Sequence, residues 1–358
     1  MTKPKPTVVV AMSGGVDSSV AAGLLLEQGY HLIGVTMLFR SCEDDQYTSW
    51  CCGANAGEAA AEVCDKLGIE HQTLSCPDEF EREVLKPAWA EYAKGRTPSP
   101  CIICNREIKF GLLFDWARQR GIAYIASGHY ARLIKVDGDI SLYRGVDPQK
   151  DQSYFLFSLT AEQRRHLLFP LGRLDKPAVR ELARKSGFSN ADRQESQDAC
   201  FTYRGENFAE SLRNRFDESA HTGFIVDSRG EKLASHSGIH NYTIGQRRGL
   251  GVSLGKPAFV TKVDAERGEV LISDDPSALE STHLRADGVT WSQEPLGGEE
   301  IRCEAQIRYR HQPAPALVKV AGPGQVEVEF DAPQRAISPG QAVVFYNGDR
   351  VLGGGWIK

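Results

Sequence analysis

Short apolar runs alternate with helix-spaced apolar faces through the first part of the chain. Thr7 to Met12 reads as a buried strand. Val20, Ala21, Leu24 and Leu25 then fall on one helix face, with Gly29 as its stop. His31 to Phe39 is a second buried strand. Ala56, Ala59, Ala60, Val63, Cys64 and Leu67 mark a helix closed by Gly68, and Ile69 to Leu74 a third strand. Glu79 to Lys94 reads as helical, and Phe110, Leu113, Phe114 and Ala117 mark a helix ending near Gly121. Ile122 to Ala126 is the next strand, followed by Ser127-Gly128-His129. This rhythm predicts an α/β domain with a parallel sheet. Ligands of such sheets bind beyond the C-terminal strand ends, so the loops after Met12, Met37 and Ala126 should face one crevice.

From Leu156 to Phe188 the pattern predicts helix, with Asp175 as an N-cap before Pro177. Beyond about residue 205 the character changes. Gly223 to Val226, Ala258 to Val263 and Glu269 to Ile272 are short β-rich runs between Gly and Asp turns. Ile301 to Ile307, Ala316 to Val320, Val326 to Phe330 and Ala342 to Tyr346 follow with regular spacing, which predicts a small β-barrel. The expected domains are residues 1–205 (α/β), 206–280 (a small central β domain) and 281–358 (a C-terminal β-barrel).

The chain has 358 residues, 41% hydrophobic and 25% charged, a globular composition. No apolar stretch is long enough to span a membrane, and the polar leader Met1 to Pro6 precedes no signal-peptide core. A cytoplasmic protein without a membrane partner is the expectation. A net charge of -5 does not advertise nucleic-acid binding, so any such surface must be local. Nine cysteines, an odd count without a secretory signal, point away from a disulfide framework and toward metal, cluster or redox chemistry.

Two segments carry the chemistry. Ser13-Gly14-Gly15-Val16-Asp17-Ser18 lies between a strand and a helix start. Glycines there admit close backbone approach, and free N–H groups with the helix dipole favour phosphates. No Gly-Lys-Ser/Thr closes the loop, so it is not a Walker loop. It resembles the PP-loop of ATP pyrophosphatases, which split ATP into AMP and pyrophosphate. The second segment is Pro98-Ser99-Pro100-Cys101-Ile102-Ile103-Cys104. A helix start there favours thiolate, aided by Arg96, Arg106 and Lys109. Taken alone, C-x-x-C leaves a redox pair, half a zinc site and cluster ligands open. A further cysteine, Cys200, sits in the polar loop Glu195-Ser196-Gln197-Asp198-Ala199-Cys200-Phe201.

Together with Arg96-Thr97-Pro98-Ser99-Pro100, Cys104-Asn105-x-x-Ile108-Lys109-Phe110, Gly128-His129-Tyr130 and Lys150-Asp151-Gln152-Ser153-Tyr154, these segments resemble the tRNA-specific 2-thiouridylase family. Tyr242 to Gly251, Arg308-Tyr309-Arg310 and Pro339-Gly340-Gln341 extend the likeness over nearly the whole chain. The resemblance implies that ATP, with Mg2+, adenylates O2 of a wobble uridine. A persulfide sulfur from an upstream sulfur carrier protein then replaces that oxygen. By position, Cys200 carries the persulfide and Cys104 is its partner thiol. Ala11, Met12, Ser13, Gly14, Gly15, Val16, Asp17, Ser18, Met37 and Gly128 would bind ATP. Ser99, Pro100, Cys101, His129, Lys150, Asp151, Gln152, Arg247, Arg248, Arg308, Tyr309, Arg310 and Gln341 would meet the tRNA.

Many members of that family have Asp where this chain has Cys101. Cys101, Cys104 and Cys200 could therefore hold a [4Fe–4S] cluster with one iron open, against cluster-free persulfide chemistry or a structural zinc. The rival functions are another ATP pyrophosphatase, such as a tRNA lysidine synthetase or an amidotransferase-linked ligase, and a non-catalytic RNA-binding protein with a nucleotide fold. Neither needs a thiol pair. Cys42, Cys64, Cys76 and Cys303 read as structural, and no mechanism attaches to Cys51-Cys52.

Overall fold

The computed structural model describes residues 5–39, 54–193, 202, 206–216, 222–252, 255–293, 295 and 299–358. Cys42, Cys51, Cys52, Cys200 and the rest of the Glu195–Phe201 motif lie outside the described residues. The chain divides into two compact units. One comprises Met1–Val84, Cys101–Gly205 and Asp349–Val351, the other Leu85–Pro100, Glu206–Gly348 and Leu352–Lys358.

In the first unit, β1 (Thr7–Ala11) leads into α1 (Val16–Glu27), β2 (His31–Leu38), α2 (Ala54–Leu67), β3 (Glu70–Ser75) and β4 (Tyr124–Ala126). A hairpin of β5 (Ala131–Val136) and β6 (Asp139–Arg144) precedes the two-residue β7 (Leu167–Leu168). The sheet runs β3-β2-β1-β4-β7, with every neighbouring pair parallel. Val8, Val9 and Val10 of the central strand are wholly buried. Branched side chains facing both ways suit a strand covered on both faces. Val8 and Val10 share one core cluster with Val20, Ala21 and Leu25 of α1, Ala60 and Val63 of α2, and Val179 and Ala183 of the helix Lys176–Lys185. Burial of each Val or Leu there contributes about 1.5–3 kcal/mol.

Two stretches differ from the sequence expectation. Leu156 to Phe188 is not one helical run. It breaks into the helix Ala161–His166, β7, a 3-10 turn at Pro170–Arg173 and the helix Lys176–Lys185. Thr160 and Asp175 cap the two helices, and Leu167 and Leu168 pair with Ile125 and Ala126 instead of continuing a helix. The hairpin at residues 131–144 was not predicted at all. Asp137 and Gly138 turn it with φ of 51° and 90°, the positive angles that a two-residue hairpin turn needs.

In the second unit, β8 (Gly223–Val226), β9 (Lys232–His236), β10 (Phe259–Asp264) and β11 (Glu269–Ser273) form a sheet of order β10-β11-β8-β9. Ile225, Val260, Val270 and Ile272 are its core. The rest of the chain carries β12 (Glu280–Trp291), β13 (Glu300–Gln306), β14 (Ala314–Gly322), β15 (Gln325–Arg335), β16 (Ala342–Asn347) and β17 (Arg350–Ile357). These follow the order β12-β15-β14-β13-β16-β17, and β12 pairs with β17 to close a six-stranded barrel. Alternate residues such as Val326, Val328 and Phe330 point into its core. Among the described residues, no helix is long and apolar enough to cross a membrane.

Asp151 organises the turn between the β5–β6 hairpin and the rest of the first unit. Its Oδ1 accepts from the N–H groups of Gly145 (2.9 Å) and Ser153 (3.0 Å), and its Oδ2 from Arg144 Nη1 (3.0 Å) and Ser153 Oγ (2.9 Å). The carboxylate is 8% exposed, and its removal takes a partner from a guanidinium and from two amides. Asp151→Ala should lower unfolding free energy in urea by about 3–5 kcal/mol, and a loss below ~1 kcal/mol would show the turn to be held by other means.

Candidate active site

The first unit holds a cavity of about 240 Å³ at the C-terminal ends of β1, β2 and β4. Its wall includes Ala11, Met12, Ser13, Asp17 and Ser18 from the glycine loop and its flanks, Met37 and Phe39 after β2, and Ser127, Gly128 and His129 after β4. Lys109, Phe110, Gln152 and Val35 complete it. The three loops expected to share a crevice do share one.

Close approach of backbones makes the loop. Gly14 has φ +70°, and a Cβ there would sit 2.7 Å from the Ala56 carbonyl oxygen. At Gly128 a Cβ would meet the Asp17 carbonyl carbon at 2.7 Å and the Ser18 nitrogen at 2.8 Å. Only glycine lets the β4 loop lie against the first turn of α1. Gly15 is the N-cap of α1, and its lack of a side chain leaves that helix start without a side-chain cap. Ser18 Oγ and Ser19 Oγ instead donate back to the Gly15 carbonyl, at 3.0 and 3.1 Å. Asn190 Nδ2 donates to the Gly14 carbonyl at 3.0 Å from the far side. The first-turn amides of a helix end favour an anion.

Asp17 is the carboxylate of this wall. Lys176 Nζ donates to both of its oxygens, at 2.8 and 2.9 Å, and Tyr130 Oη donates to Oδ1 at 2.7 Å. Lys176 is buried and opens its helix just after the Asp175 cap. Sequence reasoning identified the cap and missed the lysine. A lysine at a first helical position is unusual, and that was the available signal. Gln152 clamps Tyr130 through both backbone groups, accepting from its N–H at 2.9 Å and donating to its carbonyl at 2.9 Å. Gln152 and His129, expected at the tRNA, both line this cavity. Asp151 supports them through the turn described above, and Lys150 is half-buried beside it.

The thiol segment begins as one α-turn, Pro100–Ile103, then widens into a π-helix over Cys104–Leu112. Cys101 is exposed and Cys104 is buried. Gly111 permits the widening, since a Cβ there would lie 2.9 Å from the Arg106 carbonyl oxygen. Gln163 Nε2 donates to the carbonyls of Arg106 (2.7 Å) and Phe110 (3.0 Å). The same glutamine closes a capping box with Thr160. Asn105 Nδ2 donates to the Phe155 carbonyl at 3.1 Å and fixes the turn behind Cys104. Among the described residues, no three of His, Cys, Asp and Glu converge as a metal site; Cys200 is not among them.

The remaining predicted positions belong to the second unit. Arg247, Arg248 and Arg310 are exposed, and Tyr309 is half-buried with the Arg310 guanidinium 5.5 Å from its ring. Arg308 Nη1 donates to the Arg335 carbonyl at 2.9 Å. Gln341 Nε2 donates to the carbonyls of Thr97 (3.0 Å) and Pro98 (3.1 Å), so it holds the segment leading to Ser99 and Pro100. Thr97 adds a bond from its N–H to the Pro339 carbonyl and one from its hydroxyl to Thr243. Three motifs far apart in sequence meet at this threonine.

His129 is kept uncharged. Burial, with the Lys109 ammonium beside it, pushes its pKa down to about 3. Its Nδ1 pairs with Ser127 Oγ at 2.8 Å. The unfolded chain takes up a proton near the ordinary histidine value of about 6.5, and the folded chain only near 3, so protonation favours unfolding between them. This contribution to stability is complete above about 6.5 and falls as pH drops toward the folded value. In His129→Gln, the fall in unfolding free energy across that window should be shallower than in the parent protein. Equal slopes in urea titrations at several pH values would mean that His129 titrates normally.

Three family models match successive stretches of the chain. The family model described as tRNA methyl transferase HUP domain matches residues 6–204. The tRNA methyl transferase PRC-barrel domain matches 210–274, and the aminomethyltransferase beta-barrel domain matches 281–357. A tRNA-specific 2-thiouridylase of Carboxydothermus hydrogenoformans is 46% identical over 358 residues, covering 98% of this chain and 97% of that protein. Its counterpart in Geobacter metallireducens is 43% identical over 362 residues, covering 99% and 97%. One from Heliobacterium modesticaldum is 46% identical, covering 99% of this chain and 92% of its own. With its glycine loop, its cavity and its full-length likeness to these enzymes, the chain belongs to the tRNA-specific 2-thiouridylase family.

Proposed function

We propose that this protein is an ATP-dependent tRNA-uridine 2-sulfurtransferase. The observation that carries the reading is one cavity wall built from both the Ser13–Ser18 loop and the Cys104–Leu112 helix, through Lys109 and Phe110. ATP enters there with its base against Val35, Met37 and Phe39, the last backed by Phe80 at 4.7 Å. The pyrophosphate end lies at the Gly14-Gly15 turn, where Asp17 would be the carboxylate open to a Mg2+ ion carried by the nucleotide, at the expense of part of its pairing with Lys176. Uridine O2 attacks the α-phosphorus, the N3 proton leaves and pyrophosphate departs with the electron pair of the broken P–O bond. An amide-like oxygen is a poor leaving group, and AMP is a good one.

Sulfur follows. A carrier protein loads Cys200 as a persulfide, whose terminal sulfur attacks C2, and AMP leaves with the old oxygen. Cys104 thiolate then attacks the Cys200 sulfur and releases 2-thiouridine. The Cys104–Cys200 disulfide takes two electrons from an external thiol before the next cycle. Arg247, Arg248, Arg308, Tyr309 and Arg310 offer the tRNA phosphate and stacking contacts. Residues 1–205, 206–280 and 281–358 serve as catalytic, central and tRNA-binding domains of a cytoplasmic enzyme. Methyl transfer, the activity in two of the family-model descriptions, needs neither a pyrophosphatase loop nor a thiol pair.

Pyrophosphate release measured with and without tRNA tests the reading. Release that needs uridine-containing tRNA is expected, and its absence would remove the adenylation step. Asp17→Ala should abolish it while thermal unfolding stays cooperative. In Cys104→Ser and Cys200→Ser, 2-thiouridine should vanish while pyrophosphate release continues. Thiolation by Cys200→Ser with carrier-derived sulfur would refute the persulfide. Stoichiometric iron and acid-labile sulfide in active protein, lost with turnover in Cys101→Ala, would replace it with a cluster.

The arginines generate a separate expectation. Changing Arg247, Arg248, Arg308 and Arg310 to Ala should weaken tRNA binding and flatten its salt dependence by roughly 0.7–0.9 log units per lost phosphate contact. ATP binding should stay the same. An unaltered salt slope would make these side chains merely solvated.

A further inference from the structure

Among the described residues, the cavity wall contains one cationic side chain, Lys109. Asp17, its one carboxylate, already has the ammonium of Lys176 across both oxygens. A nucleotide brings several negative charges to this cavity, and the glycine loop offers backbone amides at only one end of it. Lys109 also has a distinctive place in the chain. It lies five residues after Cys104 within the π-helix, the spacing of one turn where hydrogen bonds run from i to i+5. The last such bond is made by Leu113 N–H to the Ile108 carbonyl. One helical turn thus joins the thiol position to the nucleotide cavity.

From this we infer that Lys109 binds the α-phosphate, first in ATP and then in the uridine adenylate. The inference rests on the ATP-dependent reading above and adds the phosphate that each element takes. Sulfur must attack C2 of the uridine. C2 is bonded to O2, and O2 to the α-phosphorus, so the phosphate nearest the thiols is the one that stays on the substrate. The departing pyrophosphate belongs to the loop at Gly14-Gly15. In the first step Lys109 offsets the charge that grows on the non-bridging oxygens as O2 adds and the pyrophosphate P–O bond breaks. In the second it offsets the charge that AMP gains as the C2–O2 bond breaks. The lysine stays protonated throughout and forms no covalent bond. An ammonium fixed in a walled cavity stabilises developing charge without reorganisation.

Burial is the main reason that His129 stays neutral, and the Lys109 charge acts in the same direction. A protonated imidazole beside Lys109 would add like charge, and the ring stays neutral as a hydrogen-bonding wall between Phe110 and Phe169.

Three variants and three small molecules test the inference. Wild type should bind AMP more tightly than adenosine. Lys109→Met should weaken AMP roughly tenfold to a hundredfold and leave adenosine unchanged, while Lys109→Arg should recover part of the loss. Inorganic pyrophosphate should bind Lys109→Met as it binds wild type. Pyrophosphate release at saturating ATP and tRNA should fall about 100- to 1,000-fold in Lys109→Met. The His129 resonances should titrate at higher pH in Lys109→Met than in Lys109→Arg, a readout independent of activity. Lys109→Gln, with the chain polar but uncharged, should behave as Lys109→Met if charge is what matters.

Unchanged AMP affinity in a folded Lys109→Met would overturn the assignment. So would normal pyrophosphate release with 2-thiouridine lost, since the lysine would then serve the thiols alone. If wild type binds neither ATP nor AMP, the ATP-dependent reading itself falls, which separates the two failures.

Discussion

Lys176 and Asp17 stand 159 positions apart in the chain and meet in an ion pair whose lysine is buried and whose carboxylate is 31% exposed at the cavity wall. Much of the first unit is arranged around that meeting. Asp17 fixes the start of α1, and Lys176 fixes the start of a helix that packs on it through Val179 and Ala183. The Lys176 amide donates to Asp147, whose neighbourhood begins the turn held by Asp151. Tyr130 joins from the β4 side. A buried ion pair seldom adds much net stability, because desolvation opposes the attraction. Breaking one side of it is nonetheless severe. Such a pair is therefore better read as a device for register. It places a carboxylate at the start of α1, in the wall of the cavity, and fixes its orientation.

The thiol segment solves a different problem. An α-helix from Pro100 onward would place successive side chains about 100° apart. Widening to a π-helix changes which residues share a face, and it brings Cys104 and Lys109 one turn apart. The widened turn is supported from outside, by Gln163 on two of its carbonyls and by the missing side chain of Gly111. Segments of π-helix recur at functional sites because only such specific support makes them tolerable.

The alternation of strands and helices, the glycine loop and the barrel strands were legible in the sequence because each rests on a local pattern. Val8 to Val10 announce a central strand by composition alone. The hairpin at residues 131–144 carried its signal in Asp137-Gly138, but its strands mix Arg, Lys and Ser with apolar residues, and the period is blurred. Leu156 to Phe188 misled because its apolar spacing suits a helix while Pro170 and two caps divide it. The site was legible where a motif is contiguous, at Ser13 to Ser18 and at Gly128. It was not legible where a residue acts through a distant partner. Lys176 looks like any helix-start lysine until Asp17 lies beside it. Gln341 reads as a base-contacting turn residue, and its hold on the carbonyls of Thr97 and Pro98 has no signal in the sequence. The π-helix has no period-based signature, so Lys109 could be suspected of helping a thiol but not placed in the cavity.

A tRNA 2-thiouridylase must also keep its structural thiols out of sulfur exchange. Attack on a persulfide or disulfide proceeds through thiolate and needs access. Cys64 is fully buried against Gly34, and burial with Asp65 nearby pushes its thiol up to about 11. Burial also pushes Cys76 and Cys303 up to about 12. At neutral pH all three therefore stay protonated thiols. Reactivity is thus withheld by packing in the cores of both units. The C-x-x-C segment is divided, with Cys101 exposed in its first turn and Cys104 buried, so Cys104 is set apart by its place at the start of the π-helix that lines the cavity and not by exposure. Among the described cysteines, Cys64, Cys76 and Cys303 are thus withheld from exchange by their core environment before any partner arrives. Selectivity for sulfur transfer is thereby a property of where each thiol is buried as much as of which motif contains it.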